Sequence, residues 1–186
     1  MSASTDYYCI DNNYSEEQIL IRNATRDWVT KHVKPHIEEH FQRAETPSYL
    51  VKELSNIGAF GLIIPENYGG VGADYISFGL MMQELEKGDS SIRVISSIQT
   101  SLVMYAIYKF GSEEQRAKYL PKLATGEMLG AFGLTEPDFG SNPSSMHSYY
   151  KEDGDNIVIN GSKMWIGNAE TADIAIVWIK DESAEV

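Results

Sequence analysis

Polar and apolar positions along this chain follow two rhythms. Up to about residue 126 the apolar residues recur at helical spacing, and beyond it they come in short β-favouring runs. The first helical stretch opens at Ser15-Glu16-Glu17-Gln18, where Ser and Gln side chains satisfy the orphan N–H groups of a capping box. Ile21, Ala24 and Trp28 follow, then Val33, Ile37 and Phe41 in steps of four. Pro35 has no N–H to donate, so a kink or break is expected near Lys34. Thr46 and Pro47 read as the cap and first residue of a second helix, which buries Leu50, Leu54 and Ile57 and ends at Gly58.

The stretch from Gly58 to Asp74 is mostly turns, with Pro65, Gly69, Gly70 and Gly72. Helical periodicity returns at Phe78, Met81, Met82 and Leu85 as a single stripe. Between Arg93 and Lys109 the run from Val94 to Tyr108 carries no charge. It is shorter than the roughly 20 residues a membrane span needs, and it contains Ser96, Ser97, Gln99, Thr100 and Ser101. A helix buried in the middle of a bundle is the better reading. A second capping box, Ser112-Glu113-Glu114-Gln115, opens a helix bearing Tyr119, Leu120 and Leu123, closed by Gly126.

After residue 127 the hairpin dipeptides Asp153-Gly154 and Asn160-Gly161 separate the runs Ile157-Val158-Ile159, Met164-Trp165-Ile166 and Ile174 to Ile179. The fold class expected is α+β. A five- or six-helix domain over residues 1–126 is followed at 127–186 by the opening strands of an antiparallel β domain. Charge follows the same division: 12 basic against 16 acidic residues before the boundary, 3 against 11 after it. The net charge of −12 argues against nucleic acid or anionic membrane as partner, since both require a basic surface. With 42% hydrophobic and 23% charged residues the chain is of ordinary globular composition. One cysteine, Cys9, excludes an internal disulfide. Met1 to Asp6 shows no basic-then-apolar leader, so a cytoplasmic location is expected.

Several groups invite chemistry. His32, His36 and His40 share i, i+4, i+8 spacing, as a metal face would, but they also border the apolar stripe, and the solvated-face reading is favoured. Gly69-Gly70-Val71-Gly72 lacks a P-loop lysine and reads as a turn. No neighbour would lower the pKa of Cys9, and an inert thiol is expected. Glu84 and Glu86, near Arg93, read as acid/base groups or an ion-pair cluster, with a solvated helix end as the default for both. Arg93 introduces the uncharged helix and needs an anionic partner, either a neighbouring carboxylate or a ligand. From Gly130 to Pro143 a strand of small residues runs into a Pro/Gly/Ser/Asn loop. This suits either a ligand pressed against main chain or an ordinary strand-to-loop transition. Glu136 is the one acid at this candidate pocket and so a candidate base.

At this segment the chain resembles the acyl-CoA dehydrogenase family. Gly133-Leu134-Thr135-Glu136-Pro137 followed by Gly140-Ser141 is similar to the family's first signature. Gly58-Ala59-Phe60-Gly61-Leu62, Pro65 to Gly70, Gly111 to Arg116, Tyr119 to Leu123, Asn160-Gly161-Ser162-Lys163, Trp165-Ile166 and Asn168 fall in the family's order. Asp89-Ser90, Arg93, Gln99 and Ser101 to Met104 resemble the glutaryl-CoA dehydrogenase-like branch.

The resemblance implies a helical domain, an antiparallel β-barrel-like middle domain and a C-terminal helical bundle. It implies FAD as cofactor and α,β-dehydrogenation of a short-chain or dicarboxylyl acyl-CoA to the 2,3-enoyl-CoA. It places Phe132, Leu134 and Thr135 along the flavin ring, Trp165, Ile166 and Gly167 beside it, and Gly140 and Ser141 near its pyrophosphate. Arg93, Val94, Glu86 and Ser141 would face substrate. The family's base lies in the C-terminal bundle, beyond Val186, so no catalytic residue is assigned here, Glu136 is set aside, and this chain alone is expected to be inactive. Electron-transfer flavoprotein is the implied acceptor and a homotetramer the implied assembly; no metal is implied. The alternatives are an acyl-CoA oxidase of the same superfamily, or a short non-catalytic homologue that acts as a binding module. Three positions depart from the family's usual residues: Gly167 for Thr, Val94 for Ser and Asn142 for Asp.

Overall fold

The structure is a computed structural model and describes residues 7–181, so the six N-terminal residues read for a leader lie outside the described residues. Both capping boxes form. Ser15 Oγ accepts the Gln18 N–H at 3.2 Å while the Gln18 side chain accepts the Ser15 N–H at 2.9 Å, opening α1 (Glu16–Trp28). Beyond Trp28 the helix widens into a π-helical turn, Val29–Val33, and the Lys34 N–H reaches back to the Val29 carbonyl. The break expected at Pro35 follows, and α2 (Ile37–Arg43) resumes after it. α3 (Ser48–Asn56) begins one residue later than expected. Pro47 brings the right φ, but its ψ of 81° is not helical, so it serves as the N-cap in place of Thr46.

α4 (Tyr75–Glu86) is capped by Asp74, whose carboxylate accepts the Ser77 N–H at 2.7 Å and the Gln18 amide at 2.6 Å, fastening α4 to α1. α5 (Ser90–Ser97), a π-helical segment Ile98–Met104 and α6 (Tyr105–Phe110) form one helical run through the middle of the domain. Ser96, Gln99 and Thr100 of that run are buried, as the bundle reading requires. Ser96 and Thr100 hydroxyls donate to the Ala59 carbonyl at 2.8 and 2.9 Å, and Thr100 Oγ1 accepts the Gly61 N–H. α7 (Glu113–Ala124) closes the domain, and Gly126 follows it at φ +70°.

The core has two lobes. One gathers Trp28, Val33, Leu54, Phe60, Leu85 and Ile92; the other gathers Ile64, Met104, Leu120 and Leu123 and reaches the strands through Phe132, Ile174 and Ile176. Glu84 corrects the sequence reading. It is buried, and its carboxylate is held by Arg26 (3.0 and 2.8 Å) and Lys87 (2.8 Å). Burial pushes this carboxyl up, but the two cations together hold it below its ordinary value. Glu86, by contrast, is exposed as expected.

Five strands follow: β1 (Gly130–Gly133), β2 (Tyr149–Asp153), β3 (Asn156–Asn160), β4 (Ile174–Val177) and β5 (Lys180–Asp181). β2 and β3 form the antiparallel hairpin expected at Asp153-Gly154, with Gly154 at φ +62°. The other pairings are parallel: β1 with β4, Gly130 opposite Ile174, and β2 with β5. Antiparallel pairing therefore holds for the hairpin alone, and no closed barrel is present among the described residues.

Two more strand expectations are corrected. Asn160-Gly161 makes no turn between strands; Asn160 ends β3, and a Cβ at Gly161 would lie 2.2 Å from Ser148 Oγ, so the glycine permits close approach. Met164-Trp165-Ile166 is not a strand, because Trp165 adopts a left-handed backbone at φ +62°. No helix among the described residues is long and apolar enough to cross a membrane.

Candidate functional site

β1 begins against the π-helical segment of the central helix. That junction is fixed by Gln99, fully buried, whose amide donates to the Leu123 and Met128 carbonyls at 2.8 Å each and whose oxygen accepts the Gly130 N–H at 2.9 Å. The chain leaves β1 through Leu134 and Thr135, makes the β2–β3 hairpin, and returns as the segment Lys163 to Asn168. Between these two passes lies a cleft of about 360 Å³, lined by Ile98, Leu102, Phe132, Leu134, Thr135, Trp165, Ile166 and Gly167.

Six of the eight residues expected to meet a cofactor are thus brought together, although 30 positions separate the two sides. Phe132 packs edge-on against Trp178, with ring centroids 6.0 Å apart. Trp165 is 86% exposed and presents a bare indole at the rim. Gly140 and Ser141 stand on the exposed loop beyond Glu136 and do not line the cleft. Ile98 and Leu102 were missed by the sequence reading, which buried the whole helix; Leu102 is 37% exposed.

The substrate-facing candidates divide. Val94 lines a larger groove of about 1030 Å³ with Ser90, Ser91, Lys52, Asn168 and Thr171, and this groove shares Ile166 with the cleft. Arg93 and Glu86 line neither cavity. They bind each other, Arg93 Nε to Glu86 Oε2 at 2.6 Å, while the other Glu86 oxygen accepts the Ser90 hydroxyl at 2.7 Å. Of the partners left open for Arg93, the structure supplies the carboxylate. Both bonds hold the Glu86 carboxyl below its ordinary value, Arg93 contributing most.

Glu136 is no free base. Its carboxylate is buried and accepts from Lys163 Nζ (2.8 Å), the His147 N–H (2.6 Å) and the Ser148 N–H (2.9 Å). Burial opposes its ionisation, yet Lys163, Ser148 and the two backbone amides bring its pKa down to about 2. The histidines form no site: His32 pairs with Glu53 at 3.2 Å and stacks on Trp28, and no cluster of three metal-ligating side chains occurs among the described residues. Cys9 is exposed and free of disulfide.

The family model of the acyl-CoA dehydrogenase N-terminal domain matches residues 15–127, and that of the middle domain matches residues 131–186. The chain belongs to the acyl-CoA dehydrogenase family. Among its relatives, glutaryl-CoA dehydrogenase of Desulfococcus multivorans is 36% identical over 94% of this chain and 46% of its own length. A short-chain specific acyl-CoA dehydrogenase of Clostridium acetobutylicum is 37% identical over 91% of this chain and 45% of its own. The crystal structure of a Mycobacterium smegmatis glutaryl-CoA dehydrogenase in complex with FADH2 superimposes with a TM-score of 0.91 and 43% identity, over 94% of this chain and 45% of that one. A chain of the electron transferring flavoprotein structure of Acidaminococcus fermentans aligns with a TM-score of 0.85 and 36% identity, over 90% of this chain and 45% of that one. This acyl-CoA dehydrogenase-family chain therefore spans less than half the length of each of these relatives.

The residues present fit a flavin ring. The cleft is within the size range of small-molecule sites, about 300–1,000 Å³, and its lining is apolar apart from one hydroxyl, Thr135. One wall approaches as bare backbone: a Cβ at Gly167 would lie 2.5 Å from Ile98 Cδ1.

Proposed function

We propose that this chain is the N-terminal portion of an FAD-dependent acyl-CoA dehydrogenase that converts a short-chain or dicarboxylyl acyl-CoA to the 2,3-enoyl-CoA. In this reading residues 1–126 are the helical domain and 127–186 the first part of the middle domain. The observation that carries it is the cleft in which Phe132, Leu134 and Thr135 meet Trp165, Ile166 and Gly167. FAD, when bound, supplies the hydride acceptor for the substrate's β-carbon. Phe132 and Leu134 exclude water from one side of the ring. Thr135 offers a hydroxyl where negative charge gathers on reduction. Gly140 and Ser141, on their exposed loop, are proposed to meet the pyrophosphate.

The α-proton needs a carboxylate that is not engaged. Glu136 accepts three hydrogen bonds inside the fold and is engaged; the family resemblance implies that the base belongs to the part of the protein that this chain does not span. Glu86 engages only Nε of Arg93, and the guanidinium keeps further donors for a distal carboxylate. Val94 adds no hydroxyl there. Electron-transfer flavoprotein is the proposed acceptor, a reading supported by the structural neighbour described above, and a homotetramer is the proposed assembly of the complete enzyme.

The experiment is anaerobic addition of an acyl-CoA to an FAD-loaded protein of the relatives' full length, followed by visible absorbance. Bleaching is expected, with slow reoxidation in air; fast oxygen consumption would identify an oxidase. For residues 1–186 alone, weak FAD binding and no bleaching are expected, and bleaching here would mean that the base has been misplaced. Absence of flavin binding by both forms would leave the non-catalytic binding module as the reading.

A further inference from the structure

The segment that forms one wall of the cleft is attached at one end to β1 and at the other to the chain that leaves it. Asn168 Nδ2 donates to the Gly130 carbonyl at 3.2 Å, at the start of the strand. At the other end the Met164 N–H donates to the Thr135 carbonyl at 2.9 Å. Lys163, next to it, extends Nζ to the Leu134 carbonyl at 3.1 Å and to Glu136 at 2.8 Å. Between the attachments Trp165 holds a left-handed backbone at φ +62°, which a bulky residue adopts only when its surroundings impose it; Asn168, at φ +64°, is of a type that enters that region more readily.

Lys163 is the one side chain of this strap that reaches both the opposite wall and the interior. Its side chain is 13% exposed, and Met146 Sδ lies 3.8 Å from Nζ. Glu136, its anion, is fixed in turn by the amides of His147 and Ser148 at the start of β2. Gly161 lets the strap's incoming chain press on Ser148. A buried carboxylate held by three donors has one satisfactory arrangement, so the pair transmits the position of β2 to the cleft.

We propose that Lys163 is a positioning residue for the flavin cleft: bridging the Leu134 carbonyl and Glu136, it sets the distance and tilt of the Trp165–Gly167 wall relative to the Leu134–Thr135 wall. The proposal rests on the flavin reading for its function but not for its geometry. Lys163 touches neither substrate nor ring in this scheme and acts through the backbone it holds.

The test uses residues 1–186 labelled with 5-fluorotryptophan, whose 19F resonances report Trp28 in the helical core, Trp165 on the strap and Trp178 beside Phe132; Trp165→Phe assigns the strap signal. Lys163→Met is expected to shift or broaden the Trp165 resonance while Trp28 stays in place, and Lys163→Arg is expected to restore it. Because Lys163→Met strands a buried carboxylate, the double variant Glu136→Gln/Lys163→Met supplies a second route. It removes both charges and keeps an acceptor for one amide, and it is expected to displace Trp165 as well. An unmoved Trp165 resonance in either variant overturns the proposal, as does loss of all three signals in both variants, since the pair would then be a general element of the fold. FAD titration followed by flavin fluorescence is expected to give about tenfold weaker binding for Lys163→Met than for the unsubstituted chain, a loss of about 1.4 kcal/mol. Equal affinity would overturn the functional half. If the unsubstituted chain binds no FAD, the flavin reading fails there and the 19F result still decides the geometry.

Discussion

The helical part and the strand part of this chain are held together by different forces. Among the buried hydrophobic side chains all but Ala131 and Met146 lie before residue 127. The strand part leaves Ile157, Ile159, Trp165, Val177 and Trp178 exposed. It relies on polar links: the buried Glu136 with Lys163, the exposed Asp173 with the Leu129 N–H at 2.9 Å, and Asn168 with the Gly130 carbonyl. Apolar burial is non-directional and tolerates small displacements, whereas a hydrogen-bonded charge pair holds in one geometry. A cleft whose two walls come from distant segments is better served by the second kind of bond. A bundle that must simply persist is served by the first.

Glu136→Ala should break this contrast most sharply. It leaves the Lys163 ammonium and two amides without their acceptor, at a cost on the order of 3–5 kcal/mol. Hydrogen exchange should show Met164 and the β2–β3 hairpin losing protection while α1 and α4 keep theirs. Equal loss in both parts would mean that they are one cooperative unit. Leu54→Ala attacks the other side. Leu54 is fully buried, and the truncation should cost about 2–5 kcal/mol, lowering the urea midpoint read by far-ultraviolet circular dichroism. If the hairpin and the helices lose protection together, the strand part depends on the bundle.

Acid should separate the two parts more gradually. The Glu136 carboxyl has a pKa of about 2 in the fold against 4.5 ordinarily, so its stabilisation is fully present above pH 4.5 and is lost as pH falls toward 2. Glu84 is depressed in the same direction, so α4 weakens in the same acid range. The sharpest reading is therefore Trp165 against Trp28 in Glu136→Gln, whose strap should lose much of its acid sensitivity in that window. The smallest effect expected is from Ser15→Ala, which removes the N-cap acceptor of α1 and should cost about 1 kcal/mol, seen as a small shift in thermal midpoint.

What could be read in the sequence was largely what neighbours along the chain decide. The two capping boxes, the break at Pro35 and the turn at Asp153-Gly154 each depend on residues within four positions, and each forms. Glu84 was misread because its main partner, Arg26, is 58 positions away and on another helix. Met164-Trp165-Ile166 has the composition of a strand, but Met164 is bonded to Thr135 and nearby Asn168 to Gly130, and no local pattern announces that. The parallel pairing of β1 with β4 was hidden for the same reason. Six cleft residues were nevertheless named in advance, through family resemblance rather than periodicity. Ile98 and Leu102 were not, since an apolar helix gives no sign of which apolar side chain it leaves uncovered.

The pairing of β1 with β4 also governs the order in which the molecule can assemble. Leu129 and Asp173, which begin that ladder, are 44 positions apart, while the helices and the hairpin close over a few. Long closures are slow relative to local ones, since chain entropy must be overcome before any contact offsets it. The individual helices and the hairpin can therefore form while the later strands are still being synthesised or are still unstructured. The packing of α1 on α4, with Arg26 and Glu84 58 positions apart, and the meeting of the two cleft walls both wait on long closures. In stopped-flow refolding, helical signal should rise before the Trp178 emission that reports packing on Phe132. Ligand-binding competence would then be the last property this chain acquires and the first it gives up.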